Sequence, residues 1–484
     1  MIKKNFILKT LLVAFLFCKN LIPAYSQSLK NLTLEQYLNQ VRTKNLTIEK
    51  TNQSIASFEL LKKKAKLLSA IKLYGFSEFG FAEQNRALQF LRYKSVETQT
   101  NRLGFSQDAE FGLNTKFYYS LNNTKYIDLN TNFATNSFAF KNTQAIPVLE
   151  LSIPLWQNLF GQSIRARRDA TFYENEAQKL NAQALSLSEI IDAEKKFWQL
   201  VFAQKAVEIQ NRALNSAQKI LEYLSKREKM NLVDKSDVLQ AKTLVESKKL
   251  AVKQAQNYLK ITARNFNKNR NVDNDIVTEK LEDFEIQKLQ NLNIKNQQKT
   301  DRLDVKSQQA QVQSAIAQAK IEEENNKPNL NLYTSYSVNQ VENNYNQAIA
   351  NSFQRSAPNG KIGLEFSLPI NLGLSSDIRK GAKMRASSEK ISYQEKLLQQ
   401  EVDWQNLQQN LKDHQENLKL AYQIEQLQKA KLENERTLLQ KGRTSTYQIL
   451  VFEQEYSNAE LNTQQIAQKL QELIADQKLY QNEI

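Results

Sequence analysis

Apolar residues recur along this chain with two periods, and the two change places twice. From 169 to 229 the spacing is helical. Ala177, Ala184, Ile191 and Trp198 stand seven apart, with Leu180 and Leu187 on the companion positions, which is the seam of a coiled coil. The heptad returns at Leu397, Trp404, Leu411 and Leu418. Ahead of each seam the period drops to two. In 329–340 Leu330, Leu332, Thr334, Tyr336 and Val338 share one face, and Asn329, Asn331, Ser335, Ser337 and Asn339 the other. In 361–370 Ile362, Leu364, Phe366, Leu368 and Ile370 oppose Lys361, Gly363, Glu365 and Ser367. The stretch 109–121 sets Phe111, Leu113, Phe117, Tyr119 and Leu121 against Glu110, Asn114, Lys116 and Ser120. Strict alternation of this kind predicts strands with one apolar and one polar face.

The change of period happens at matching places. Leu149, Glu150, Ser152 and Pro154 overlay on Leu364, Glu365, Ser367 and Pro369 at a constant offset of about 215 residues, so one structural unit is written twice. The first copy predicts a helix over 31–67, strands and loops over 71–156, a long helix over 169–229, a turn at Asn231–Lys235, and a helix of about 35 residues from Ser236. An irregular polar connector covers 271–297. The second copy predicts a helix over 298–326, the two strands, a long helix to Gln440, a turn at Lys441–Ser445 and a last helix to Leu479. A helix of about 65 residues spans roughly 100 Å, far more than a compact core needs.

Segments of about ten residues with alternating faces suit an outer-membrane barrel, apolar towards lipid and polar towards the lumen. A soluble sheet would need a cover for its apolar face, and no remaining segment is suited to that. After the N-terminus no apolar run reaches the length of a transmembrane helix, about 18 residues or more. Ten Gly and six Pro in 484 residues are too few for several compact domains joined by many turns.

The first 26 residues predict a cleaved secretory leader: Lys3, Lys4 and Lys9 are charged, Leu11 to Phe17 apolar, and Ala24-Tyr25-Ser26 a small-x-small cleavage site. Cys18, the single cysteine, falls inside it, behind a bulky Phe17 unsuited to lipidation. Loss of Lys3, Lys4, Lys9 and Lys19 removes four charges and takes the formal net charge from +15 to +11. Lys and Glu are interspersed along the helices rather than gathered, so no nucleic-acid partner is expected. An enzyme is not expected either. The single histidine, His414, lies mid-helix among Gln and Asn, and no phosphate loop, metal cluster or cofactor motif is present.

These features together resemble the TolC-like outer membrane factors, over nearly all of the chain beyond the leader. The resemblance rests on Leu32-Thr33-Leu34-Glu35, on Asn45-Leu46, on Arg302-Leu303-Asp304, and on Leu149-x-Leu-Ser-Ile-Pro-Leu155. It rests most of all on two helix-hairpin turns, Asn231-Leu-Val-Asp-Lys-Ser-Asp237-Val-Leu239 and Gly442-Arg-Thr-Ser-Thr-Tyr-Gln448-Ile-Leu450. Asn and Gly tolerate the left-handed backbone that ends a helix, and Ser236 and Ser445 are suited to cap the next one.

The resemblance implies a mainly α fold with a β-barrel part. In it, a homotrimer of chains with two efflux-protein repeats (27–270 and 298–484, joined by an equatorial connector over 271–297) closes a barrel. About four strands per protomer would give twelve, with antiparallel helical hairpins extending into the periplasm. It implies an outer-membrane location and a passive conduit in efflux or type I secretion, working with a periplasmic adaptor (membrane fusion protein) and an inner-membrane transporter. Lipid-facing positions would be Leu330, Leu332, Tyr336, Leu364, Phe366 and Leu368. The periplasmic gate would lie at Asn231, Ser236, Asp237, Gly442, Arg443, Thr444, Gln448 and Val451. Gln448 and Val451 stand where the family often carries aspartates, so an acidic entrance ring is not expected, and an Asp237–Arg443 pair is a candidate latch. Room for extra strands or a large external loop exists between Ile71 and Pro147. The competing class is an exported coiled-coil spacer or adhesin without transport, for which two matched strand windows have no use.

Overall fold

The computed structural model describes residues 31–83, 91–92, 95–131, 138–293, 300–338, 341–342, 344–354 and 357–481. The expected leader, with Cys18, lies outside them. The main elements are α1 (Leu34–Lys44), α2 (Leu46–Leu61), β1 (Lys72–Glu83), β2 (Ser95–Asp108), β3 (Asn114–Thr131), β4 (Phe138–Pro154), α3 (Gln162–Glu228), α4 (Lys235–Asn269), α5 (Leu303–Asn325), β5 (Asn329–Val338), β6 (Pro358–Ser367), α6 (Leu372–Gln440) and α7 (Thr446–Gln477). Helices α3 and α6 run 67 and 69 residues without a break. No helix among the described residues is long and apolar enough to cross a membrane.

The described residues divide into two compact units. Of these residues, the tip unit holds those within 31–49, 188–293 and 407–478, and the sheet unit those within 50–187, 300–406 and 479–481.

In the tip unit a capping box opens α1. The Gln36 amide donates to Thr33 Oγ1 and the Thr33 amide to Gln36 Oε1, both at 3.3 Å, so two otherwise orphaned donors are satisfied. The continuous helix expected over 31–67 breaks at Asn45. Its Oδ1 accepts the amides of Thr47 at 2.8 Å and Ile48 at 3.1 Å, starting α2, while its Nδ2 donates to the Asn269 carbonyl at 3.0 Å. An asparagine side chain that outcompetes the helix for its own backbone explains the break. The aromatic core is Tyr37 stacked on Phe266 at 4.0 Å, Phe197 edge-on to Trp198 at 5.1 Å, and Trp198 on Phe284 at 5.4 Å. The connector holds a two-residue strand, Lys280–Leu281, paired in parallel with Asn31–Leu32.

In the sheet unit α3 packs closely on α5. Ser307 Oγ donates to the Ala177 carbonyl at 2.7 Å and Ser314 Oγ to the Ala170 carbonyl at 3.3 Å, with Ala170, Ala177, Ala310 and Ala317 buried around them. The Arg302-Leu-Asp304 motif ties three segments together. Its guanidinium reaches Asp304 at 2.9 Å and Asp403 at 3.1 Å and lies over the Tyr480 ring, while the Arg302 amide donates to Gln400 Oε1 at 2.8 Å.

The sheet is antiparallel in the order β6-β5-β4-β3-β2-β1. Among the described residues six long strands stand where about four were expected, the addition being the β2–β3 hairpin. The segment 109–113, expected to belong to a strand, is the turn of that hairpin. The Ala109 amide bonds the Leu113 carbonyl at 2.9 Å and Gly112 takes φ 97°. This turn nests into the corner before α3, where Asn158, Phe160 and Gly161 all have positive φ. A Cβ on Gly161 would sit 1.9 Å from the Glu110 carbonyl oxygen, and one on Gly112 would sit 2.8 Å from the Gly161 nitrogen. Glycine is required at both positions by backbone proximity as well as by φ. Arg168 closes the joint with an ion pair to Glu110 at 2.9 Å.

Candidate functional site

The strand register sorts the sheet's side chains into rows. One row crosses all six strands as Leu73, Phe105, Phe117, Leu149, Tyr336 and Gly360. The row beside it reads Lys72, Ser106, Lys116, Glu150, Ser335 and Lys361. Because successive residues of a strand point to opposite faces, the first row lies on one side of the sheet and the second on the other. The apolar face continues through Ile153, Leu332 and Leu364, and through the Leu330–Phe366 pair. Leu73 is 73% exposed, Ile362 77% and Leu364 65%. Leu330 and Leu332 are half-buried, Tyr336 and Phe366 exposed. Leu368 lies just beyond the end of β6 and is also exposed. A broad exposed apolar face on a soluble protein would be an aggregation liability, so it marks contact with lipid or a partner.

The opposite face is polar and charged. A cavity of about 670 Å³ opens on it, lined by Lys72, Asp108, Lys116, Ser152 and Asn331, among others. On the other side, the face of Phe117 and Leu149, the short helix Tyr345–Asn351 packs against β4, with Phe353 stacked on Tyr119, the neighbour of Phe117 on that face.

The two hairpin turns of the tip unit share one backbone solution. At the first, Asn231 takes φ 58° and the Leu232 amide reaches back to the Arg227 carbonyl at 3.0 Å; at the second, Gly442 takes φ 69° and the Arg443 amide reaches the Leu438 carbonyl at 2.9 Å. Both are the six-to-one closures that end a helix on a left-handed residue. Ser445 caps α7, accepting the Gln448 amide at 3.3 Å. Ser236 does not cap α4. That helix starts one residue earlier, with Asp234 in the cap position, and Ser236 lies exposed in its first turn. Leu224, Ala241 and Leu450 form a small core near the turns, supported by Ile220, Val238 and Leu244.

Asp237 and Arg443 are not joined within the protomer: among the described residues no ion pair connects them, and Arg443 is exposed. Thr444 instead hydrogen-bonds Glu435. Two other arginines tie the hairpins together. Arg212 of α3 pairs with Glu460 of α7 at 2.5 Å. Arg436 of α6 pairs with Glu453 of α7 and donates to Ser216 of α3 at 3.3 Å. Gln448 is exposed and Val451 half-buried. These bridges escaped the sequence reading because partners 17 to 248 residues apart leave no local pattern. The apolar positions of β2 were missed for another reason. The run Thr98–Arg102 is polar on both faces and dilutes the alternation that Leu103 and Phe105 carry. His414 sits half-buried with its ring nitrogen 2.9 Å from the Asn410 carbonyl of its own helix. Among the described residues no cluster of acidic, histidine and cysteine side chains could hold a metal ion.

Long paired helices joined to an amphipathic antiparallel sheet are the fold of the TolC-like outer-membrane channels, as the motifs led one to expect. The chain is similar to the outer membrane protein VceC of Vibrio cholerae, with TM-score 0.63 and 14% identity over 92% of this chain and 95% of that one. It is similar to the CmeC outer membrane channel of Campylobacter jejuni, with TM-score 0.61 and 15% identity over 92% and 85%. It is also similar to the open state of the MtrE outer membrane channel of Neisseria gonorrhoeae, with TM-score 0.61 and 14% identity over 93% and 88%. No family model and no curated protein sequence matches the chain.

Proposed function

We propose that this chain is the outer-membrane channel of a tripartite efflux or type I secretion system, a passive trimeric conduit from periplasm to exterior. The observation that carries the reading is the pair of rows across the sheet, one apolar and exposed, the other charged. A wall between lipid and water uses both faces in this way. A sheet with two unpaired edges cannot sit in a bilayer alone, which calls for further copies of the chain, and the fold relationship supports a homotrimer. The helical tips at Asn231, Ser236, Asp237, Gly442, Arg443, Thr444, Gln448 and Val451 then form the periplasmic gate. A periplasmic adaptor and an inner-membrane transporter open it. Asp237 and Arg443, unpaired with each other in one protomer, are free to meet across protomers.

The test is fractionation followed by planar-bilayer recording. Heat-modifiable trimers in the outer membrane that conduct ions in a lipid bilayer are expected. A monomeric species recovered soluble without detergent would instead indicate an exported coiled-coil spacer or adhesin.

A further inference from the structure

We infer that three copies of this chain close a wall of eighteen strands, the β2–β3 hairpin being part of the barrel rather than an external loop. The inference rests on the trimeric channel reading above and sets the width of its pore.

Three observations carry it. First, the apolar row and the polar row do not stop at β4. They continue through Phe117 and Phe105 to Leu73 on one face, and through Lys116 and Ser106 to Lys72 on the other. A hairpin projecting into water would have no reason to keep Leu103, Phe105 and Phe117 exposed on the face that carries Leu149 and Leu364. Second, the hairpin turn is locked to the corner before α3 by the Gly112–Gly161 contact and by the Arg168–Glu110 pair. The two strands are therefore held at the level where the other strands begin. Third, among the described residues the unpaired edges are β1 and β6, of 12 and 10 residues, each long enough to span a bilayer, for which about 9–11 residues suffice.

Strand direction fits closure by a second copy. Six antiparallel strands leave β1 and β6 running oppositely, so β6 of one protomer meets β1 of the next in the antiparallel sense required around the ring. Six strands from each of three copies give eighteen, the range in which a barrel encloses an aqueous channel about as wide as a porin's. In this arrangement Lys72, Lys116, Glu150 and Lys361 line the lumen.

The full chain carrying Cys18→Ala, assembled in outer membranes, provides the test. Single cysteines at Leu103, Phe105 and Phe117 should react with a bilayer-soluble maleimide and be protected from a membrane-impermeant one. Cysteines at Ser106 and Lys116 should show the reverse. Leu73→Cys combined in turn with Ile362→Cys, Leu364→Cys and Phe366→Cys should give, for at least one pair, disulfide-linked dimers and trimers on non-reducing gels. If trimers form but positions 103, 105 and 117 react with the impermeant reagent, the hairpin lies outside the wall and the proposal falls while the channel reading stands. Absence of interchain cross-links in all three pairs also overturns it. Absence of any trimer in the outer membrane removes both.

Discussion

Glu324 shows how a charge can be buried without loss. Its side chain is fully buried, yet Lys327 approaches at 2.6 Å and Lys320 at 3.1 Å, and its other oxygen accepts the Asn158 amide at 3.3 Å. Burial pushes its carboxyl pKa up, but the two lysines outweigh that and hold it below the usual carboxylate range. A depressed folded-state pKa contributes stability that is present above the unfolded value and is lost as pH falls through the folded one. Glu324→Ala, which leaves the Asn158 amide without its acceptor and the two part-exposed lysines without their counter-ion, should cost about 1–3 kcal/mol at neutral pH. The gap in thermal midpoint between wild type and variant should close as the solution is acidified. Lys248 is the opposite case. It is 3% exposed, and burial pushes its amine below its usual value, opposed only by the charge of Glu453. Lys248→Met keeps the apolar stem and removes the disfavoured charge, so it should raise stability by about 1 kcal/mol, read as a higher thermal midpoint.

At the scale of elements, the sheet and the hairpins make separate predictions. If the proposed barrel forms, arginine at Leu364, on the apolar face, should destabilise it by about 2–4 kcal/mol near the bilayer midplane. Arginine at Ser335 on the polar face should be tolerated, and equal tolerance in a detergent-unfolding assay would contradict the assignment of the faces. In the tip unit Arg212 and Arg436 are each about half exposed, so solvent screens their ion pairs and each contributes only about 1 kcal/mol. Arg436→Ala loses the Glu453 pair and the Ser216 hydrogen bond together. It should raise the open probability of single channels more than Asp237→Ala does, because the structure places Arg436, not Asp237, between the two hairpins. In the proposed trimeric channel, a bridge of that strength repeated in each protomer would be weak enough for a docking partner to undo.

For the whole molecule, stability cannot be separated from association. On the channel reading proposed above, a chain with an open sheet on both edges and exposed apolar rows gains its missing hydrogen bonds and its lipid contacts only on assembly. The thermal midpoint of the detergent-solubilised protein should therefore rise with protein concentration. A concentration-independent midpoint over a broad range would indicate that one chain folds without partners.

Periods written into the sequence determined a great deal. Heptads at Ala177–Trp198 and Leu397–Leu418 gave the long helices, alternation at 329–340 and 361–370 gave β5 and β6, and Asn231 and Gly442 marked both turns. These are local properties, decided by which residues share a face and which tolerate a positive φ. The tertiary structure decided what local pattern cannot carry. The break at Asn45 depends on a side chain choosing between two sets of amides, one choice being anchored by Asn269, more than 200 residues away. The extra hairpin depends on two glycine backbones, at 112 and 161, fitting together. The bridges between the hairpins, Arg212–Glu460 and Arg436–Ser216, join residues whose distance in sequence says nothing of their distance in space. Backbone preference is readable one residue at a time, whereas partnership between distant side chains exists only once the chain has folded.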